Sequence, residues 1–210
     1  MSEAKRKVAV LLSGNGTTLE NLFQRGESGA LPIQVVAVLS SRADAYGLER
    51  ARRRGVPALV VERKRFVLPE EYSAALFEAL APYAPELVCL AGFMSLLRIP
   101  PAYEQRILNV HPALLPAFGG KGYYGMKVHE AVLRHGCKVS GCTVHFVDNE
   151  YDHGPIVLQR AVPVLENDTP ESLSERVQAA EREAYPEAIR LLAQGQLRVE
   201  GRRVRVLTSK

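Results

Sequence analysis

The sequence predicts an α/β fold, built on an open, mostly parallel sheet flanked by helices, with an antiparallel C-terminal portion. Short apolar segments alternate with helical segments through residues 8–110, which is typical of parallel strands joined by right-handed crossovers. Two longer apolar segments then follow each other with only a short turn between them, which favours an antiparallel hairpin. Because no linker interrupts the pattern, we expect one domain over residues 1–210.

The sequence pattern predicts five strands and three helices in the first half of the chain. Valines 35, 36 and 38 give the second strand the β-branched bulk that favours extended structure. Gly55 ends the second predicted helix, and Pro82 and Pro85 end the third. The predicted strands are 8–12, 33–39, 58–61, 87–91 and 107–110, and the predicted helices are 19–26, 43–54 and 70–80.

After residue 112 the pattern changes. A loop rich in Gly and Tyr at 118–125 precedes a predicted helix at 126–135. The hairpin strands are 139–147 and 156–164. Pro170 begins a long helix to about residue 194, with Glu171 in its first turn, where the helix dipole favours an anion. The tail at 197–207 predicts a short hairpin around Gly201.

Composition and charge restrict the class of protein. The three cysteines include no C-x-x-C pair, which fits a reducing compartment, and Cys89 is predicted to be a small buried side chain. The net charge is +4, but the basic residues are scattered and no aromatic residues interleave with them, so a nucleic-acid groove is disfavoured. No apolar run has the length of a membrane span. We expect a cytoplasmic monomer or homodimer with no nucleic-acid or membrane partner.

A glycine-rich turn joins the first strand to the first helix. Glycines at such a turn let backbone N–H groups approach a phosphate at the helix N-terminus. Leu19 occupies the third glycine position of a dinucleotide fingerprint, and Ser40-Ser41-Arg42 ends the second strand without an acidic ribose ligand, so a phosphate monoester fits better. The alternative is a plain tight turn with Thr17 or Thr18 as N-cap. The candidate phosphate-binding residues are Gly14, Asn15, Gly16, Thr17 and Thr18.

Three polar residues near strand ends are candidates for catalysis. Asn109 and His111 project to the same face of an extended segment, and Asp152 lies in the turn of the predicted hairpin. An amide can donate to an oxyanion, an imidazole can move a proton near neutral pH, and a carboxylate can orient the imidazole and raise its pKa. The alternatives are a structural histidine and an ordinary acidic turn. His145 and His153 do not give His111 a metal-ligand spacing, so we expect no metal.

These residues resemble the phosphoribosylglycinamide formyltransferase family, within the folate-dependent formyltransferase superfamily, over about residues 7–205. The likeness includes Leu-Ser-Gly-Asn-Gly-Thr from residue 12, Leu-Ala-Gly-Phe-Met from 90, and Asn-Val-His-Pro-Ala-Leu-Leu-Pro from 109. It continues with Gly-Cys-Thr-Val-His-Phe-Val from 141 and Asp-His-Gly-Pro-Ile from 152. The likeness implies a Rossmann-like fold and transfer of a formyl group from 10-formyltetrahydrofolate to the amine of 5-phosphoribosyl-glycinamide.

The resemblance also implies roles for individual residues. Asn109, His111 and Asp152 match catalytic positions, the loop at 14–18 matches the phosphate site, and Glu181 with Gln178 matches the contact to the substrate ribose. The resemblance also divides the chain into a phosphate-binding half of about 1–100 and a folate and catalytic half of about 101–210. The chain departs from the family at Ser95, where Arg is frequent, and at Thr18, where Asn is frequent. The implied folate-pocket residues are Phe93, Met94, Ser95, Leu96, Leu97, Val147, Asp148 and Tyr151.

Two rival functions use the same residues. A formyltetrahydrofolate deformylase would apply the three catalytic candidates to water, and it resembles this family with an added N-terminal regulatory domain. A methionyl-tRNA formyltransferase would need a C-terminal RNA-binding domain. A non-enzymatic nucleotide-binding module would need only the loop at 14–18, and it leaves the catalytic candidates unexplained.

Overall fold

The computed structural model describes residues 5–207, which fall into two compact units that divide between Leu108 and Asn109. The ends of the predicted domain, residues 1–4 and 208–210, lie outside the described residues. The expectation of a single functional domain stays a prediction. Within the described residues, no helix is both long and apolar enough to cross a membrane.

The first unit consists of parallel strands that alternate with helices. β1 pairs with β2 and β4, and β2 pairs with β3, in the order β3-β2-β1-β4. The elements are β1 Arg6–Leu12, α1 Thr17–Glu27, β2 Ile33–Ser40, α2 Tyr46–Arg52, β3 Ala58–Val60, α3 Pro69–Leu80 and β4 Leu87–Leu90. The last five residues of β1 are fully buried, as a central parallel strand requires. Cys89 is buried in β4, as the sequence predicts.

The second unit carries the antiparallel pairs. β6 pairs antiparallel with β7, β8 pairs antiparallel with β9, and β7 pairs parallel with β9. The elements are α4 Met126–Arg134, β6 Val139–Phe146, β7 Ile156–Pro163, α5 Pro170–Ala193, β8 Leu197–Glu200 and β9 Arg203–Val206, while β5 Ile107–His111 spans the boundary between the units. α5 packs on β6, β7 and α4 through buried residues such as Val177 and Ile189. The hairpin, the long helix and the tail hairpin therefore confirm the predicted pattern.

Two helix starts differ from the sequence prediction by more than one residue. α1 begins at Thr17, two residues early, and its N-cap is Gly16 in a left-handed conformation with φ 71°, so the assignment of Thr17 or Thr18 as N-cap is wrong. Glycine takes this conformation without steric cost, and no side chain caps the helix. α2 begins at Tyr46, three residues late, because Ala45 is extended with ψ 120°.

Candidate active site

Four polar side chains of the second unit converge at one point. Asn109 and His111 leave β5 on the same side, His145 comes from the end of β6, and Asp152 comes from the turn that follows β6. The Asp152 carboxylate lies 3.4 Å from Asn109 Nδ2 and 3.4 Å from His111 Nδ1. The predicted convergence of the amide, the imidazole and the carboxylate is present. As the candidates for catalysis, these four residues are called the catalytic cluster.

The backbone explains why these side chains meet. Successive side chains of a strand point to opposite faces, so Asn109 and His111 share one face of β5, and Thr143 and His145 share one face of β6. Asp152 reaches the cluster from a left-handed backbone with φ 52°. Asp adopts this region more readily than most residues, because its short side chain bonds locally.

His111 is buried, and each of its ring nitrogens faces a protein oxygen atom. Its Nε2 lies 2.8 Å from the carbonyl oxygen of Phe118, which can only accept, so Nε2 carries a hydrogen and Nδ1 faces Asp152. Burial lowers the pKa of His111, and it outweighs the Asp152 carboxylate, which raises it. The expected effect of Asp152, which raises this pKa, is therefore present, but burial of the ring is the larger effect. The resting imidazole is neutral near pH 7, with an acceptor nitrogen directed at a carboxylate.

The amide of Asn109 is oriented by His145. His145 Nδ1 donates to the carbonyl oxygen of Phe146 at 2.8 Å, so its Nε2 accepts from Asn109 Nδ2 at 3.1 Å. The other Nδ2 hydrogen is directed at Asp152 at 3.4 Å, which is a long contact. The amide is therefore held firmly by one hydrogen bond and weakly by another, and the weak one can be exchanged for a ligand atom.

Asp152 is held as a carboxylate. Burial alone would raise its pKa, but the neighbouring His145 ring, the charge of His111 when that ring is protonated and the N–H of Gly120 together lower the pKa of Asp152 below its ordinary value. The Gly120 N–H donates to Oδ2 at 2.9 Å. The carboxylate is thus available to stabilise a positive charge that forms on His111.

The loop after β5 closes onto the cluster. Phe118 has φ 52°, and this conformation turns its carbonyl oxygen toward His111. A Cβ atom placed on Gly119 would lie 2.3 Å from Cδ2 of Leu115 and 3.4 Å from Cβ of Asp152, so a larger residue here would require the Leu115 side chain to shift. This segment supplies two backbone groups, a carbonyl and an N–H, that sequence patterns do not reveal.

Thr143 holds the start of the loop after β5 by hydrogen bonds. Its buried hydroxyl donates to the carbonyl oxygen of Ala113 at 2.7 Å and accepts from the N–H of Leu115 at 3.0 Å. Gln159 donates to both the hydroxyl, at 2.9 Å, and the Leu115 carbonyl oxygen, at 3.0 Å. The hydroxyl therefore has all of its hydrogen-bonding positions occupied, and it ties the loop to β6 and β7.

The turn that carries Asp152 packs just as closely. A Cβ atom on Gly154 would lie 1.9 Å from the carbonyl oxygen of Phe146, which belongs to the backbone and cannot rotate away. His153 bonds Asp148 through Nδ1 at 2.7 Å, and this contact spans the base of the turn. The position of Asp152 thus depends on a glycine two residues later.

In the first unit, the glycine-rich loop presents backbone donors. Within residues 5–207, the N–H groups of residues 15–19 have no acceptor, and the first amide of α1 that bonds is Glu20, to the carbonyl oxygen of Gly16. Free N–H groups at a helix N-terminus attract anions. Four of the five candidate phosphate-binding residues, 15–18, therefore have N–H groups with no hydrogen-bond acceptor within residues 5–207.

Two of the folate candidates of the first unit, Met94 and Ser95, line a cavity. Met94 is half exposed and donates from its N–H to Ser13 Oγ at 3.2 Å, Phe93 stacks on Tyr72, and Leu96 and Leu97 are half-buried and buried. The cavity has a volume of about 640 Å³. Its lining is Ser13, Ser41, Arg42, Ala43, Asp44, Glu62, Arg63, Lys64, Met94 and Ser95.

The remaining candidates lie in the second unit. Val147 is half-buried and Tyr151 is exposed, in the turn that leads to Asp152. Gln178 is exposed and donates to Ser174 at 3.1 Å. Glu181 is half-buried, and burial raises its pKa to about 7. Burial, with the Glu181 charge added, raises the pKa of Cys142 to about 12, so this thiol is unreactive.

Among residues 5–207, the structure places no group of three or more His, Cys, Asp or Glu side chains where they could hold a metal ion. His145 is instead engaged with Asn109, and His153 is engaged with Asp148.

A family model for formyl transferases matches residues 6–189. The chain belongs to the formyl transferase family.

Individual proteins with known names show which enzymes of the family this chain is similar to. A glycinamide ribonucleotide transformylase 1 from Symbiobacterium toebii has a solved structure that matches with a TM-score of 0.91 at 50% identity, covering 98% of this chain and 96% of that one. The trifunctional purine biosynthetic protein adenosine-3 of Gallus gallus is 44% identical over 197 residues, which is 93% of this chain and 19% of that protein. The chain thus spans about a fifth of the length of the chicken protein.

A formyltetrahydrofolate deformylase from Pseudomonas syringae is a more distant neighbour. Its structure matches with a TM-score of 0.86 but at 24% identity, and the alignment covers 67% of that chain. At this identity the match shows a shared fold and nothing further. The α/β fold with a mostly parallel sheet and an antiparallel C-terminal portion is confirmed by these structures.

The sequence suggests His145 only as a metal ligand, whereas the structure places it in the catalytic cluster. The signal that could have found it is its spacing from Thr143 in β6, since both face the side on which Asn109 and the loop after β5 are held. Its buried ring then defines the orientation of the Asn109 amide.

Proposed function

We propose that the chain transfers a formyl group from 10-formyltetrahydrofolate to the amine of 5-phosphoribosyl-glycinamide, a step of purine biosynthesis. The observation that carries the proposal is the catalytic cluster, in which a neutral imidazole, an ionised carboxylate and an oriented amide meet within 3.4 Å contacts. These groups suit direct transfer of an acyl unit between two nitrogen atoms. A covalent enzyme intermediate is not required.

The mechanism follows from the hydrogen bonds at rest. The neutral amine attacks the formyl carbon, and Asn109 exchanges its long contact with Asp152 for the developing oxyanion. His111 Nδ1, which is an acceptor at rest, takes a proton from the amine, and Asp152 stabilises the imidazolium that forms. The C–N10 bond then breaks, and the proton passes from His111 to N10 of tetrahydrofolate.

The other candidates divide between the two substrates. The free N–H groups of residues 15–19 support binding of the phosphate. Glu181 and Gln178 on α5 are proposed to contact the ribose. Folate is proposed to bind the backbone of residues 93–97 and of the turn that contains Val147, Asp148 and Tyr151. We further propose that the chain works as a single functional domain, as a monomer or homodimer in the cytoplasm, with these small molecules as its partners.

The test is a formyl-transfer assay with purified protein, 10-formyltetrahydrofolate and the ribonucleotide, in which folate absorbance is followed with and without the ribonucleotide. We expect turnover that depends on the ribonucleotide. Folate turnover at an equal rate without it would support the deformylase alternative instead. Gel filtration during the same preparation measures the oligomeric state.

A further inference from the structure

The glycine-rich loop of the first unit is held from one side by α2. The N–H of Gly47 donates to the carbonyl oxygen of Gly14 at 3.1 Å, and Arg50 Nε donates to the carbonyl oxygen of Asn15 at 2.9 Å. These are consecutive peptide units of the loop. Both of their carbonyl groups are therefore directed at α2.

Because the peptide bond is planar, the directions of these carbonyl groups also determine the directions of the N–H groups in the same peptide units. In a trans peptide the C=O and the following N–H point in opposite directions. With the carbonyl groups of Gly14 and Asn15 directed at α2, the N–H groups of Asn15 and Gly16 must point away from it. They join the N–H groups of residues 17–19, which have no acceptor within residues 5–207.

Close backbone contact and ion pairing keep this arrangement rigid. A Cβ atom on Gly16 would lie 2.8 Å from Cα of Gly47, so the loop and α2 touch at the backbone level. The Arg50 guanidinium is itself anchored, by Glu20 at 3.0 Å and by the ring of Tyr46 at 5.1 Å from its centroid. Arg50 is about one-quarter exposed, and it spans from α2 to both the loop and α1.

We propose that Arg50 is a positioning residue for the substrate phosphate. By holding the Asn15 carbonyl group, it orients the Gly16 N–H and keeps the amides of residues 15–19 turned outward as one anion-binding surface. The inference rests on the proposed function, because it assigns the phosphate of the ribonucleotide to this loop. Arg50 acts through the backbone of the loop, so its loss should weaken phosphate binding without changing the chemical step.

The test compares Arg50→Met with two matched variants. Glu20→Gln removes an ion pair of Arg50 but keeps the bond from Arg50 to Asn15, and Arg52→Met removes an exposed arginine from the same helix. For Arg50→Met we expect KM for the ribonucleotide to rise about tenfold, with kcat and the folate KM within about twofold of the original chain. Arg52→Met should stay within about twofold in every constant, and Glu20→Gln, which keeps the bond from Arg50 to Asn15, should raise KM for the ribonucleotide less than Arg50→Met does. An equal KM for Arg50→Met and Arg52→Met would overturn the inference.

A second readout needs no catalysis. In amide NMR spectra, inorganic phosphate should shift the signals of residues 15–19, and Arg50→Met should weaken that binding about tenfold. If the chain transferred no formyl group but this phosphate result held, the proposed function would fail and the role of Arg50 would stand. If formyl transfer were normal and phosphate binding did not depend on Arg50, the role of Arg50 would fail alone.

Discussion

The glycine-rich loop and the catalytic cluster are both polar sites, but they are made from different parts of the chain. The loop offers backbone N–H groups, and within residues 14–18 no side chain is charged. The cluster offers side chains from β5, β6 and a turn, each fixed by a specific partner. A site made of backbone tolerates changes of its own side chains and depends on whatever orients its peptide planes. A site made of side chains depends on each of them.

The largest expected effect tests the cluster directly. Asn109→Ala removes the oxyanion donor, and Asp152→Ala removes the charge that stabilises protonated His111. Each variant should fold and should lose about 10²–10³ in kcat, by the size of oxyanion-hole losses. Steady-state assays and circular dichroism measure the two properties. Near-normal turnover in both variants would contradict the assigned roles.

A smaller effect, on stability, is expected at Thr143, whose hydroxyl holds the loop that closes onto the catalytic cluster. Thr143→Val leaves the Ala113 carbonyl oxygen and the Leu115 N–H without their buried partner, which costs about 1–3 kcal/mol in free energy of unfolding. Thr143→Ser keeps the hydroxyl and is the control. Urea denaturation of the three proteins measures the difference. An equal loss in the Ser variant would assign the effect to packing of the methyl group instead of the hydrogen bonds.

The pH dependence of stability also separates the regions, since the loop has nothing that titrates. Burial raises the pKa of Glu181 from 4.5 to about 7, so its neutral form stabilises the fold below pH 4.5, and this contribution is lost as pH rises through 7. Relative to the original chain, Glu181→Gln should therefore gain up to about 3 kcal/mol in free energy of unfolding from pH 4.5 to pH 8.

Denaturation series at both pH values provide the check on Glu181. Burial lowers the pKa of His111 and of His129, so their neutral forms stabilise the fold above pH 6.5 and this contribution is lost as pH falls. Because both histidines are present in both proteins, their contribution cancels in the comparison. A difference between the two proteins that does not change with pH would show that Glu181 does not titrate in this range.

The smallest effect is expected in the loop. Thr17→Ala and Thr18→Ala leave every backbone N–H in place, so KM for the ribonucleotide should change less than about threefold. If either variant raised this KM as much as Arg50→Met does, the threonine hydroxyls would be the phosphate ligands, and the contrast between the two sites would be lost.

The sequence predicts the parts of the fold that depend on local pattern. The alternation of β5 places Asn109 and His111 on one face, and Pro170 marks the start of α5. The residues that complete the cluster depend on distant packing. Asp152 reaches the cluster because its backbone adopts a left-handed conformation. The Phe118 carbonyl oxygen is a main-chain group with no sequence signature.

The direction of the His111 pKa shift was not accessible from sequence for the same reason. The neighbouring Asp152 could be inferred, but the depth of burial depends on how the loop after β5 closes over the ring. Likewise, the start of α1 follows Gly16, whose φ is positive and which has no room for a Cβ atom because the loop touches α2 at Gly47. In each case tertiary contact decides a local property.

The contact at Gly154 has a consequence for variation of this chain. Any other amino acid would bring its Cβ atom to 1.9 Å from the Phe146 carbonyl oxygen, and β6 would have to move to relieve it. In a library randomised over residues 147–155 and selected for growth, position 154 should therefore remain monomorphic, while exposed Asn149 and Glu150 diversify freely. Intolerance to mutation at position 154 would then show that the backbone, and not the chemistry, limits the divergence of the enzyme there.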